Sequence, residues 1–187
     1  MSGNNWISTL VASQADGTAL ANSTTATSIL NAADVFTLPN NFFLPRKKLR
    51  LRASGRISNI VTTPGTLTLD VRLGSIVVFN GGAMALNIVA KTNVTWDLVI
   101  EMICRAVGSG TSANLLGTGK WGSESVIGSP LPSVGGAGSL LLPASAPAVG
   151  NGFDSTAAQA LNLFATWSVA NAGNSIQLHN FSLEDMN

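Results

Sequence analysis

At 187 residues and 19.2 kDa the chain is long enough to bury one sizeable core and short enough to be a single domain. Its formal net charge is +1, and charged residues make up only 10% of it, against ~25% in an ordinary soluble domain. This excludes a polyanion and a strongly basic nucleic-acid binder. With a mean hydropathy of +0.33, it leaves a Ser, Thr, Asn and Gly surface whose apolar patches call for cover by other subunits.

The first residues, "MSGNNWISTLVASQADG", lack the basic start and the ~7 to 15 residue apolar run of a signal peptide. No secretory route is therefore expected, and the N-x-S/T triplets at Asn22, Asn93 and Asn180 carry no weight. Residues 1–15 read as an N-terminal extension. "TALANSTTATSIL" and "DVFTL" then suggest short strands.

"RKKLRLRASGRI", residues 46–57, holds six of the ten Lys and Arg residues: Arg46, Lys47, Lys48, Arg50, Arg52 and Arg56. Its alternation predicts a strand over 47–61. Leu49, Leu51, Ala53, Gly55 and Ile57 lie on one face, and Lys48, Arg50, Arg52, Ser54 and Arg56 on the other. A second strand over 66–79 sets Leu67, Leu69, Val71 and Leu73 against Thr66, Thr68, Asp70 and Arg72. Between them "TTPGT" has the Pro64–Gly65 chemistry of a tight turn, so the two read as a hairpin.

A shorter strand is expected at 83–90 and the longest at 92–107. There Val94, Trp96, Leu98, Ile100, Met102, Cys104 and Ala106 share a phase. The opposite phase carries Thr95, Asp97, Glu101 and Arg105, interrupted by Val99 and Ile103. That half-apolar face calls for cover by another element or subunit. A weaker strand follows at 113–128.

Residues 129–152 contain four of the seven prolines and five glycines, so they read as a loop or arm that ties subunits together. From 157 to 170, Leu161, Leu163, Ala165, Trp167 and Val169 share a phase. In "NSIQLHNFSLED" the phase slips one step between Leu178 and Phe181, the signature of a β-bulge near His179.

No segment keeps the spacing of an amphipathic helix, and no apolar run reaches ~18 residues. Even "WDLVIEMICRAV" carries Asp97, Glu101 and Arg105. The prediction is an all-β, jelly-roll-like antiparallel sandwich of eight to ten strands, one domain over 1–187 without internal repeats.

Chemistry is sparse: one His, one Cys, no Tyr, and nine scattered carboxylates. His179 has no G-x-S-x-G partner and reads as structural, Cys104 reads as a buried thiol, and no catalytic group, metal or cofactor is expected. "GTGK", 117–120, fails as a P-loop because Asn114 and Trp121 stand where Gly and Ser or Thr are required. Trp96 and Trp167 fall in core phase, which leaves Trp6 and Trp121 as candidate surface aromatics. The basic strip has no interleaved aromatic residue and pI is about 7.9, so direct nucleic-acid binding is not expected, nor is membrane binding.

After Trp121 there is no Lys or Arg, while Glu124, Asp154, Glu184 and Asp185 remain. A basic strip with an acidic tail could steer a protein partner or pair identical subunits head to tail. Equally, the strip could be a solvated sheet face whose cations discourage edge aggregation.

"LRASGRISNIVTTPGTLTLDVRLGSIVVFNGGA", "GSGTSANLLGTGKW" and "LLPASAPAVGNGFDSTAAQALNLFATWSVANAGNSIQLHNFSLEDMN" carry a family resemblance. They resemble small virion structural proteins of tailed bacteriophages, and the size and all-β pattern resemble the trimeric jelly-roll decoration, or cement, proteins. The resemblance implies a homotrimer, made in the bacterial host cytoplasm, that binds the major capsid protein on the outer capsid and bridges its subunits. On that basis Arg46, Lys47, Lys48, Arg50, Arg52, Arg56 and Trp6 are the expected partner-binding residues. Val99, Ile103, Leu140, Leu141 and Leu142 are the expected subunit interface. The competing expectation is a tail, neck or fibre-tip component, or a carbohydrate-binding sandwich, presenting Trp6 or Trp121 to a glycan.

Overall fold

The computed structural model describes residues 7–128, 138–143 and 145–186. The strands are β1 (Ser8–Ala12), β2 (Leu20–Ala21), β3 (Thr27–Ser28), β4 (Phe36–Leu38), β5 (Lys48–Asn59), β6 (Thr66–Leu73) and β7 (Ile76–Leu86). Then come β8 (Lys91–Ala106), β9 (Asn114–Ser123), β10 (Val126–Gly128), β11 (Ser139–Leu142), β12 (Gln159–Trp167) and β13 (Ser175–Asp185). One 3-10 turn, Ala32–Asp34, is capped by the Asn31 side chain.

These strands form a β-sandwich of two antiparallel sheets. The larger runs β1-β13-β5-β8-β9-β11 with β2 beside β13, and the smaller runs β10-β7-β6-β12-β3 with β4 beside β12. Neighbours β5–β13, β6–β12, β7–β10 and β8–β9 are nested in the sequence, the signature of a ribbon rolled into a jelly-roll-like fold. Thirteen strands rather than eight to ten arise because β1 and β11 fall in the expected extension and arm, β10 splits from the expected strand at 113–128, and the first expected strand divides into β2 and β3.

Alternation predicts the faces of β5, β8 and β12 correctly. In β5 every second residue from Leu49 to Ile57 is buried, and in β8 Trp96, Leu98, Ile100, Met102 and Cys104 point inward. One apolar cluster fills the space between the sheets and includes Leu161, Leu163, Ala165 and Trp167 of β12. The bulge in β13 falls between Leu178 and Asn180, at His179.

Strand pairing is another matter. β5 and β6 are not a hairpin: β5 pairs with β13 and β8 in one sheet, and β6 with β7 and β12 in the other. Residues 60–65 carry the chain from layer to layer, with Gly65 at φ 77°. Buried Asn174 holds this corner by accepting from the Ile60 amide at 3.0 Å and donating to the Pro64 carbonyl at 2.9 Å. Both strands bury one face in the same core, so their period is the same whether they share a sheet or face each other. The tight hairpin lies one step later, at Gly74 between β6 and β7.

Two stretches expected to be irregular are partly ordered strand. Ser8–Ala12 of the expected extension pairs with β13, and Ser139–Leu142 of the expected arm pairs with β9. Val149 and Phe153 then bridge to Leu116 and Ala113. The rest of that arm, 129–137 and residue 144, lies outside the described residues.

Candidate docking face

The basic strip lies mid-sheet. β5 is flanked on both sides, so its cations protect no edge, and the edge-protection reading of the strip is set aside. Its carboxylate partners come from the two neighbouring strands. Lys47 pairs with Asp185 at 2.6 Å and Lys48 with Glu101 at 2.6 Å. Arg50 donates to Glu101 Oε1 from Nε at 3.0 Å and Nη2 at 2.9 Å, and its Nη1 lies 3.7 Å from Glu184. Arg52 reaches Glu184 only at 3.9 Å, and Arg56 donates to Thr95 Oγ1 at 2.6 Å.

The local sequence explains why. Antiparallel register puts Arg50 opposite both Glu101 and Glu184, so one arginine sits between two carboxylates. Partly exposed pairs of this kind contribute only ~0–1 kcal/mol each, so they fix side-chain positions more than they stabilise the fold. They also engage most of the acidic tail: Glu184 and Asp185 pair with cations of the strip and Glu124 pairs with Lys91 at 3.0 Å, while Asp154 accepts from Thr156.

Lys48 and Arg50 hold the Glu101 carboxyl below its ordinary 4.5 by donating hydrogen bonds to its charged form. A depressed folded value contributes stability above the unfolded value, and that stability is lost as pH falls through the folded one. Wild-type protein is therefore expected to lose more of its urea midpoint between about pH 6 and about pH 3 than Glu101→Gln does. Equal losses would show that this carboxylate does not report on folding.

Not all cations on this face are balanced. Lys48, Arg50, Arg52, Arg56, Arg105 and Lys120 face outward against Asp97, Glu101 and Glu184. Arg52 is 56% exposed, and among the described residues Lys120 and Arg105 have no ion pair. One cross-strand row joins the strip to the expected interface: Arg52 opposite Val99, Val99 opposite Lys120, and Lys120 opposite Leu141. The next apolar pair on the face is Ile103 opposite Leu116. Leu141 is 74% exposed. Beside the row a groove of about 720 Å³ is floored by Val99, Thr118 and Gly119 and walled by Leu141, Pro143, Ala146 and Pro147.

Lys48, Arg50, Arg52 and Arg56 of the expected partner-binding residues thus share one face with Val99, Ile103 and Leu141 of the expected subunit interface, while Arg46 and Lys47 precede β5. Four other residues singled out in the sequence fall elsewhere. Leu142 turns inward, buried near Gly81, and Leu140 packs half-buried against the core, so of the three leucines only Leu141 is offered outward. Trp121 is fully buried, stacked on Trp96 with ring centroids 5.0 Å apart and planes at 12°. Trp6 lies outside the described residues.

Trp121 is misread from sequence because its inward neighbours on β9 are Gly117 and Gly119, which show no hydrophobic period. The structure explains the glycines: a Cβ at Gly117 would strike the Phe79 ring, and one at Gly119 would crowd Ile100 and the Val99 carbonyl. A second surface was not anticipated at all. At one end of the sandwich Val61, Ile88 and Val89 are exposed at 60%, 56% and 62%. Beneath them buried Asn59 donates to the carbonyls of Asn87 at 2.6 Å and of Ile60 and Val89 at 3.2 Å, and accepts from Ser125 at 2.5 Å. Its signal was "NIV" in a turn, apolar residues where a turn would be polar.

Arg72 is bidentate to Asp70 at 2.6 and 3.2 Å and lies 4.1 Å over Phe164, and the Asp70 hydrogen bond raises its pKa. Burial pushes the Cys104 thiol up. His179 Nδ1 lies 2.9 Å from Asp16. Among the described residues no three His, Cys, Asp or Glu side chains gather as a metal ion would require.

No protein-family model matches the chain, and no curated protein matches it. Among solved structures, a protein of unknown function from Shewanella oneidensis MR-1 aligns over 98% of this chain and 80% of its own, at 14% identity and a TM-score of 0.33. At that level the likeness carries no functional argument.

Proposed function

We propose that this protein is a non-enzymatic virion structural protein, a capsid decoration or cement protein. It acts as a homotrimer that binds the outer capsid and bridges major capsid subunits. The observation that carries this reading is the outer face of the larger sheet, where Arg52 and Lys120 flank Val99 beside exposed Leu141. A bridging protein needs two adhesive surfaces, one for its own copies and one for the shell. The chain offers two: this face, and the apolar tip of Val61, Ile88 and Val89. Exposed aliphatic clusters on a chain of such low charge gain ~25 cal/mol per Å² when covered.

The test is to add purified protein to emptied, expanded capsids of the phage that carries it, and to count bound copies at low and high salt. The reading expects saturable binding in multiples of three, weakened by salt, and a free species of about 58 kDa by light scattering, three times the 19.2 kDa chain. A 19.2 kDa monomer that leaves expanded capsids bare would overturn it.

A further inference from the structure

We infer that the groove beside Lys120 receives an extended acidic segment of a different protein, one that places an aliphatic side chain between two carboxylates. The inference rests on the docking reading above and names the chemistry of what docks.

Three observations lead to it. The first is shape: at about 720 Å³ the groove falls within the ~300–1,000 Å³ of sites that enclose small ligands or a few side chains. Its surfaces are mainly apolar, from Val99, Leu141, Pro143, Ala146 and Pro147. An aliphatic side chain fits there, whereas a wholly polar ligand would lose its hydration without compensation.

The second is charge. Glu101 at the groove's edge is neutralised by Lys48 and Arg50, so it does not repel an incoming carboxylate. Lys120 has no carboxylate partner among the described residues. Arg52 shares a distant Glu184 with Arg50. Val99 sits between these two cations in register, so they are two strand spacings apart, about 10 Å. Carboxylates on either side of one aliphatic residue in an extended segment match cation, valine, cation.

The third is that the chain does not supply such a segment. Glu101, Glu124, Glu184, Asp185 and Asp70 are paired with cations, and Asp16 with His179. Asp34 is buried, Asp97 lies on this same face, and Asp154 is held by the amide and hydroxyl of Thr156. Asp34, Asp97 and Asp154 have no cation among the described residues. None of them flanks an aliphatic residue together with a second uncommitted carboxylate, since Glu101 beside Val99 is held by Lys48 and Arg50, so the occupant is a different protein.

The experiment uses the full ¹⁵N-labelled chain and two probes, acetyl-Glu-Ser-Leu-Ser-Glu-amide and its counterpart with Lys in place of both Glu. The acidic peptide is expected to shift the amides of 118–120, 141, 142, 145 and 146, and the basic one to leave them unmoved. Lys120→Glu and Leu141→Ser are each expected to weaken the acidic peptide about tenfold, roughly one ion pair or one apolar contact. Both side chains are exposed, and near-ultraviolet circular dichroism checks that each variant keeps the wild-type fold. Equal binding of both peptides, shifts confined to other surfaces, unchanged affinity in both variants, or displacement by a ten-residue oligothymidylate would each overturn the inference. Capsid binding separates the two claims. If Lys120→Glu and Leu141→Ser coat capsids as wild type does, the groove inference fails and the cement reading stands. If the acidic peptide binds as expected but wild type never coats a capsid, the groove inference stands and the cement reading fails.

Discussion

Trp121→Ala is expected to lower the free energy of unfolding by about 3–5 kcal/mol, the cost of removing a large aromatic side chain from a packed core. The indole is fully buried and lies flat against Trp96 of the adjacent strand, so the change removes both its burial and a stacked ring pair worth ~0.5–1.5 kcal/mol beyond area. Its neighbours cannot close the gap. Inward positions 117 and 119 of β9 are glycines whose space Phe79 and Ile100 already occupy. Urea denaturation measures the loss. A change under about 1 kcal/mol, with Trp fluorescence quenched by added glycans, would mean that Trp121 faces solvent and would revive the carbohydrate-binding alternative.

Asn59→Leu is the second large effect, expected at about 2–4 kcal/mol although the two side chains are similar in size. The loss comes from what remains. Asn59 is buried, and its amide group serves three loop carbonyls and the Ser125 hydroxyl. Leucine would leave those groups without a partner, and a buried unsatisfied group costs ~1–3 kcal/mol. The structural consequence is local: residues 60–65 and 87–90 would separate and the Val61–Ile88–Val89 tip would lose its fixed shape. Hydrogen exchange at the Thr62 amide, which donates to the Ile88 carbonyl at 2.9 Å, reports this directly. Ser125→Ala should cost less, since it removes one hydrogen bond and leaves the three loop carbonyls paired. If Asn59→Leu left stability and exchange unchanged, the tip would not depend on this network.

Sheet faces were legible in the sequence and strand neighbours were not. Leu49 to Ile57 and Trp96 to Cys104 declare their buried sides because side chains alternate with period two whatever the partner strand. The β5–β6 pairing was misassigned because Pro64–Gly65 chemistry suits a turn within one sheet and a corner between two. The deciding side chain, Asn174, lies 110 residues from its Pro64 partner. The same limit explains the basic strip. The cluster at 46–56 was visible, but the acids that partner it, Glu101, Glu184 and Asp185, are 51 to 138 positions away from their cations and meet them only through register. The cations that register leaves beside Val99 without a close carboxylate are Arg52 and Lys120, and in the sequence Lys120 stands out only as the lysine of a failed P-loop.

The most direct measurement of the central claim, that the outer face of the larger sheet is the face that docks, is an electron cryo-microscopy reconstruction of expanded capsids incubated with the protein. The expected result is trimeric added density in which the β5-β8-β9-β11 face, at Arg52, Val99, Lys120 and Leu141, abuts the shell. Density with that face turned to solvent, or no added density at saturating protein, would contradict it.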